Sequence, residues 1–207
     1  MIHADILFKY FPDFTEKQQD QFRQLFDLYA DLNAKINVIS RKDMDNFYIH
    51  HVLHSLALLK FADFSGAKNI VDIGTGGGFP GIPLAIAFPD KQFYLIDSIG
   101  KKIGVVQQVA DAVGLTNVVA EKARIEDTPY KYDMAVARAV APAIELFQWM
   151  SKNWSHQPKM ALLKGGDLAE ELNELLVAKS SLKIKVNAIS SIYAEDFFET
   201  KKVVLVN

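Results

Sequence analysis

Cysteine is absent from this chain of 207 residues. Disulfides, thiolate metal sites and cysteine nucleophiles are therefore excluded. Long hydrophobic runs are missing as well. No apolar stretch reaches the ~18 residues that a membrane-spanning helix needs, so no membrane partner is expected. The first residues carry one early lysine and are interrupted by Asp5 and Asp13, which is not the pattern of a secretory signal. A cytoplasmic location is the default expectation. An excess of either charge is also lacking: 23 Lys and Arg against 25 Asp and Glu leave a formal net charge of −2. That balance does not advertise a nucleic-acid binder, and such binding would need a local basic face within a mildly acidic whole. The five histidines show no metal-ligand spacing, and His50, His51 and His54 read as one helix face rather than a metal site.

What remains is globular in composition, half hydrophobic and 23% charged, with length for one domain of ordinary size plus an appendage. Residues 1–66 read as a small helical lobe. Thr15 is placed to cap a helix carrying Phe22, Leu25, Phe26, Leu28, Tyr29 and Leu32, and a second helix is expected from near Asp43. Residues 67–207 alternate between strand and helix patterns, which argues for a parallel sheet covered by helices on both faces. The expected strands are Asn69–Ile73, Gln92–Ile96, one from Val118, Met134–Ala137, Met160–Leu163, Ile184–Asn187 and Val203–Val206. Helices are expected over Lys101–Val113, stopped by Gly114, and over Ala143–Trp154 and Asp167–Lys179. The two parts are expected to form one compact unit, acting as a monomer.

The stretch Asn69-Ile70-Val71-Asp72-Ile73-Gly74-Thr75-Gly76-Gly77-Gly78-Phe79-Pro80-Gly81 organises the chain. A buried strand breaks into glycines and resumes as a helix, which makes a ligand site at the strand's carboxyl end. Glycine lets a ligand approach the backbone, and the N–H groups of the following helix are expected to face the same spot. A dinucleotide fingerprint would need glycine at position 79, which is Phe. The spacing present, Asp72 followed by Gly74, Gly76 and Gly78, resembles the first motif of class I S-adenosylmethionine-dependent methyltransferases. The fold implied is Rossmann-like α/β, with a seven-stranded, mostly parallel sheet and helices on both faces. The cofactor implied is S-adenosyl-L-methionine.

Asp97 lies about 20 residues after the glycine turn, where a carboxylate can accept hydrogen bonds from both hydroxyls of a ribose. Phe79 stands at the mouth of the turn and is either a cofactor contact or core. In the implied fold the loop Ala123-Arg124-Ile125-Glu126-Asp127 flanks an adenine, with Ile125 on the ring and Glu126 or Asp127 at its amine; a charged surface turn is the plainer reading. Arg138 ends an apolar strand, and a guanidinium there needs an anionic partner: a substrate phosphate, the cofactor carboxylate, or a carboxylate such as Asp72. Lys164 ends the next strand and suits a nucleic-acid phosphate. Arg41-Lys42 and Lys101-Lys102 either add positive charge near the same rim or, as charge pairs usually do, just face solvent.

Together Asn69–Leu84, Leu95–Lys101, Ala123–Glu126, Ala137–Ala139 and Leu163–Gly165 closely resemble the ribosomal RNA small subunit methyltransferase G (RsmG, or GidB) family, as do Asn37-Val38-Ile39-Ser40 and His51-Val52-Leu53-His54-Ser55. The resemblance runs over nearly the whole chain. It implies methylation of N7 of one guanine in 16S rRNA, nucleotide 527 in standard 16S rRNA numbering, with 16S rRNA or the small ribosomal subunit as partner. It implies cofactor contacts at Gly74, Phe79, Ile125, Glu126 and Arg138, and RNA-facing charges at Arg124 and Lys164. His54 departs from the family pattern, which commonly has Asp there. No general base and no metal are assigned. The readings that stand beside this one are a methyltransferase for another RNA, a small molecule or a protein, and a non-catalytic RNA- or ribosome-binding module on the same fold.

Overall fold

The computed structural model describes residues 4–207. Helix α1 (Asp5–Tyr10) leads into α2 (Glu16–Asn33). Thr15 caps α2 as expected, in a reciprocal box in which its hydroxyl accepts from Gln18 N–H while the Gln18 side chain accepts from Thr15 N–H. The second helix of the lobe is less regular than its periodicity suggests. A 3-10 stretch (Arg41–Asn46) passes into a π-helical segment (Phe47–Leu53), followed by the short α-helical turns α3 (His54–Leu56) and α4 (Leu58–Phe61). The wider π turn lies where the neighbouring residues His50 and His51 both turn a ring nitrogen to the Asp43 carboxylate.

Seven strands follow: β1 (Asn69–Ile73), β2 (Gln92–Asp97), β3 (Val118–Lys122), β4 (Met134–Arg138), β5 (Met160–Gly165), β6 (Ile184–Ala188) and β7 (Lys201–Val206). Their order across the sheet is β3-β2-β1-β4-β5-β7-β6. The first five run parallel, and β7 is antiparallel to both β5 and β6. Between them lie α5 (Gly81–Ala87), α6 (Gly100–Ala112), α7 (Ala143–Trp149) and α8 (Ala169–Ala178). Gly114 takes φ 69° after α6 and lets Leu115 N–H reach back to Ala110 O at 2.9 Å. The helix expected over Ala143–Trp154 ends at Trp149, and Trp154 instead bridges to Tyr132.

Alternation along the strands divides the core in two. Ile70, Phe93, Leu95, Val136 and Leu163 pack toward the lobe with α2, α5 and α6. Val71, Ile73, Ile96, Ala137 and Leu162 pack toward α7 and α8. The lobe therefore shares one continuous apolar cluster with the sheet. The strand order reverses between β1 and β4, and in open α/β sheets that reversal opens a crevice at the carboxyl ends of the strands.

Candidate functional site

The glycine turn lies at that crevice. Gly74, Gly76 and Gly78 take φ of 64°, 59° and 99°. At Gly74 both the conformation and the space require glycine, since a Cβ would stand 2.8 Å from a Val140 methyl. The turn is held from three sides. Asp97 Oδ2 accepts from Gly76 N–H at 3.0 Å, Ile96 O accepts from Thr75 N–H at 2.9 Å, and the buried Tyr29 hydroxyl of α2 donates to Gly77 O at 2.5 Å.

Asp72 belongs to the brace and not to the crevice wall. It is fully buried, and its Oδ2 accepts from Thr75 Oγ1 at 2.6 Å and Gly81 N–H at 2.8 Å. Burial pushes its carboxyl up to about 7, against those two bonds and the nearby Arg138 charge. The N–H at the start of α5 is thus already taken by Asp72, which corrects the expectation that the first donor of this helix is free for a ligand.

A cavity of about 270 Å³ opens beside the turn, lined by Gly74, Asp97, Arg124, Ile125, Glu126 and Trp149 among others. Asp97 uses one lone pair of each oxygen on backbone, with Oδ1 accepting from Ile99 N–H at 2.8 Å. A carboxylate has about four acceptor sites, so two remain. Ile73, Ile96, Ile125 and Trp149 supply apolar walls, and Arg124 and Glu126 are exposed at the mouth. An acceptor pair beside an apolar slot suits the hydroxyls and the flat ring of a nucleoside. Trp149 was missed in the sequence because it reads as one more apolar position of a helix, and Ser98 because nothing marks it.

Phe79 lies elsewhere. Its ring is buried, 5.0 Å from Tyr29 and 5.3 Å from His51 by ring centroids, with the Arg138 guanidinium 5.1 Å above its centre. Of the two readings of Phe79, its ring takes the core one. Gly76 and Gly78 shape the turn without lining the cavity.

Arg138 and Lys164 line a second cavity, of about 410 Å³, together with Asp43, His50, His51, His54, Phe197 and Lys201. The two cavities share Ala139, which holds φ 54°, an uncommon conformation for a residue with a Cβ. Among the described residues, no carboxylate bonds Arg138. Its Nη1 donates to His50 O and its Nη2 to His51 Nδ1, both at 3.1 Å. A guanidinium has only donors, so His51 Nδ1 is the acceptor and its proton sits on Nε2, donating to Asp43 Oδ2 at 2.7 Å. His51 is fixed as a neutral imidazole, with burial and then the Arg138 charge pulling its pKa down to about 4. Burial would raise Asp43, but its two histidine partners bring it below the ordinary value.

Lys164 differs from the free, RNA-facing cation expected of it. Its ammonium donates to Ala141 O at 2.6 Å and pairs with Glu171 Oε1 at 2.7 Å, and Glu171 in turn accepts from Ala143 N–H. Both side chains of the pair are largely enclosed, 11% and 22% exposed. Lys164→Met should therefore cost about 1–3 kcal/mol in urea unfolding by leaving Glu171 without its cation. The salt dependence of RNA binding should stay as it is. A shallower slope at undiminished stability would return Lys164 to phosphate contact.

Among the described residues, no helix is long and apolar enough to cross a membrane. A family model described as rRNA small subunit methyltransferase G matches residues 18–200. A protein of that name from Bacteroides thetaiotaomicron is 49% identical over 206 residues, spanning 97% of this chain and 98% of that one. Another, from Flavobacterium psychrophilum, is 51% identical over 204 residues, spanning 96% and 95%. Among solved structures, the mitomycin 7-O-methyltransferase MmcR aligns with a TM-score of 0.62 at 14% identity, covering 88% of this chain and 60% of that one. The ribosomal protein L11 methylase of Lactobacillus delbrueckii subsp. bulgaricus aligns at 0.57 and 16%, covering 75% and 76%. At such identities the structural matches establish a shared fold.

Proposed function

We propose that this chain, which belongs to the rRNA small subunit methyltransferase G family, methylates N7 of a guanine in 16S rRNA using S-adenosylmethionine. The observation that carries the reading is the cavity of about 270 Å³ in which the glycine turn, Asp97 and residues 124–126 face one another beside Ala139. Asp97 would hold the ribose through its two remaining lone pairs, Ile125 and Trp149 would flank the adenine, and Glu126 would meet its amine. When bound, S-adenosylmethionine supplies a methyl group on a sulfonium. The position implied by the sequence resemblance, nucleotide 527, is the one to map first.

The residues present suit such a reaction. Guanine N7 carries an in-plane lone pair, so no proton must leave before attack, and alignment is the main demand on the protein. His51 is neutral and tied at both ring nitrogens, while Asp72 is sealed behind the turn. Neither is placed to take a proton from a substrate. N7 lies on the major-groove edge of guanine, which side chains cannot reach in an A-form helix. The target is therefore an unpaired or loop-presented base.

Incubation with labelled S-adenosylmethionine and unmodified small subunits, followed by mapping of the labelled base, tests the proposal. Label in protein, or at a nitrogen other than guanine N7, would overturn it. Arg124 is exposed at the cavity mouth, and Arg124→Ala should weaken subunit binding and lower the slope of log affinity against log salt by about 1. A filter-binding series in salt checks this, and an unchanged slope would take Arg124 off the RNA.

A further inference from the structure

We propose that the second cavity, which shares the lining residue Ala139 with the first, receives the target guanine, and that His54 Nε2 accepts a hydrogen bond from its N1–H. This inference rests on the methyltransferase reading above and names the part of the same site that reads the base.

His54 is 6% exposed, and its Nε2 has no hydrogen-bond partner among the described residues, although the ring lines the cavity wall. In a neutral imidazole one ring nitrogen is a donor and the other an acceptor, and the acceptor role here is assigned to the unpartnered Nε2. Burial, with the Arg138 and Lys201 charges behind it, keeps the ring neutral. An enclosed acceptor with nothing to accept is costly, and nearly all such groups are satisfied. The ring lines a cavity of about 410 Å³, within the range of small-molecule sites, and a ligand donor there is the partner assigned to Nε2.

Lys201 supplies the complement. It lines the same cavity, its ammonium stands 4.8 Å from the centre of the Phe197 ring, and it bonds no carboxylate or carbonyl among the described residues. Guanine presents an acceptor, O6, next to a donor, N1–H. A cation and a neutral acceptor in one cavity match that pair. Adenine reverses it, with an amine where O6 would be and a lone pair at N1, so both contacts become repulsive. The cavity would thus choose guanine over adenine, while N7 on the opposite side of O6 turns to the shared wall at Ala139.

The experiment uses the full chain with small subunits carrying the mapped guanine, alongside titration calorimetry with S-adenosylhomocysteine. His54→Phe keeps the aromatic volume that meets Phe197 and Phe198 edge-on and removes the acceptor. We expect kcat/KM to fall by about 100-fold or more, as for sites that lose a hydrogen bond on which recognition depends. Affinity for adenosylhomocysteine should change less than about threefold on the same argument. His54→Asn, which restores an acceptor oxygen, should recover part of the loss. Near wild-type turnover in His54→Phe would overturn the proposal. A matching loss of adenosylhomocysteine affinity would also overturn it, by placing the cofactor in this cavity. Should His54→Phe fail to fold, Lys201→Met reads the same pocket from β7, with the same expected fall and the same overturning results. Absence of transfer by the wild type would instead sink the methyltransferase reading itself.

Discussion

Asp97→Ala is expected to weaken S-adenosylhomocysteine binding by about 10²–10⁴-fold in titration calorimetry. Hydrogen bonds to a charged acceptor contribute about 1.5–3 kcal/mol each, and a ribose offers two. The carboxylate also shapes the site before any ligand arrives, because its oxygens hold Gly76 N–H at 3.0 Å and Ile99 N–H at 2.8 Å. The substitution therefore removes the ribose contact and loosens the turn against which the ligand lies. Asp97→Asn weakens both effects by less. It keeps an acceptor for one backbone N–H and sets an NH2 donor against the other, so unfolding should cost about 1–3 kcal/mol, while affinity falls by about tenfold, the equivalent of one weakened bond of roughly 1.4 kcal/mol. Affinity unchanged in both variants would remove Asp97 from the ligand site and leave it a turn residue alone.

That double duty explains what the sequence made legible. The strands, the glycine turn and the position of Asp97 follow from local pattern: alternation of apolar residues, glycines where the chain turns left-handed, and a carboxylate at the end of the next strand. The cavity wall at Arg124, Ile125 and Glu126 is legible in the same way, as the loop after β3. What depends on contact between the lobe and the sheet is not. Arg138 meets His50 and His51 across 88 and 87 positions of sequence, and no spacing rule announces that a backbone carbonyl and an imidazole will satisfy a guanidinium. Phe79 sits one residue past the turn, where neither strand nor helix periodicity says which way its ring points. The pairing of Lys164 is hidden for a third reason: Glu171 lies beyond the turn at Gly165 and Gly166, and how closely α8 folds back onto β5 is set by packing.

The same lobe–sheet contact makes the molecule's acid response the second large effect. His51 and His54 are held neutral in the fold, with pKa values brought down to about 4 and about 3 by burial and then by Arg138. In the unfolded chain both titrate near 6.5. Between those values the unfolded state binds more protons, so stability is full above about pH 6.5 and is lost as pH falls to about 4 for His51 and about 3 for His54. At pH 5 each histidine accounts for roughly 2 kcal/mol, and the pair for about 4 kcal/mol. Asp72 acts in the opposite sense. Burial raises its folded pKa to about 7 from 3.8, so the folded state takes up a proton first and gains roughly 2 kcal/mol on going from pH 7 to pH 5. Wild type should therefore lose only about 1–2 kcal/mol over that interval, whereas Asp72→Asn, which cannot titrate, should lose about 4 kcal/mol. Urea unfolding at pH 5, 6, 7 and 8 resolves the two curves. Parallel curves would mean that Asp72 ionises like an exposed carboxylate and that its brace on Gly81 carries no electrostatic cost. His54→Phe in the Asp72→Asn background should recover about half of the acid loss, because one of the two histidines no longer draws a proton into the unfolded state.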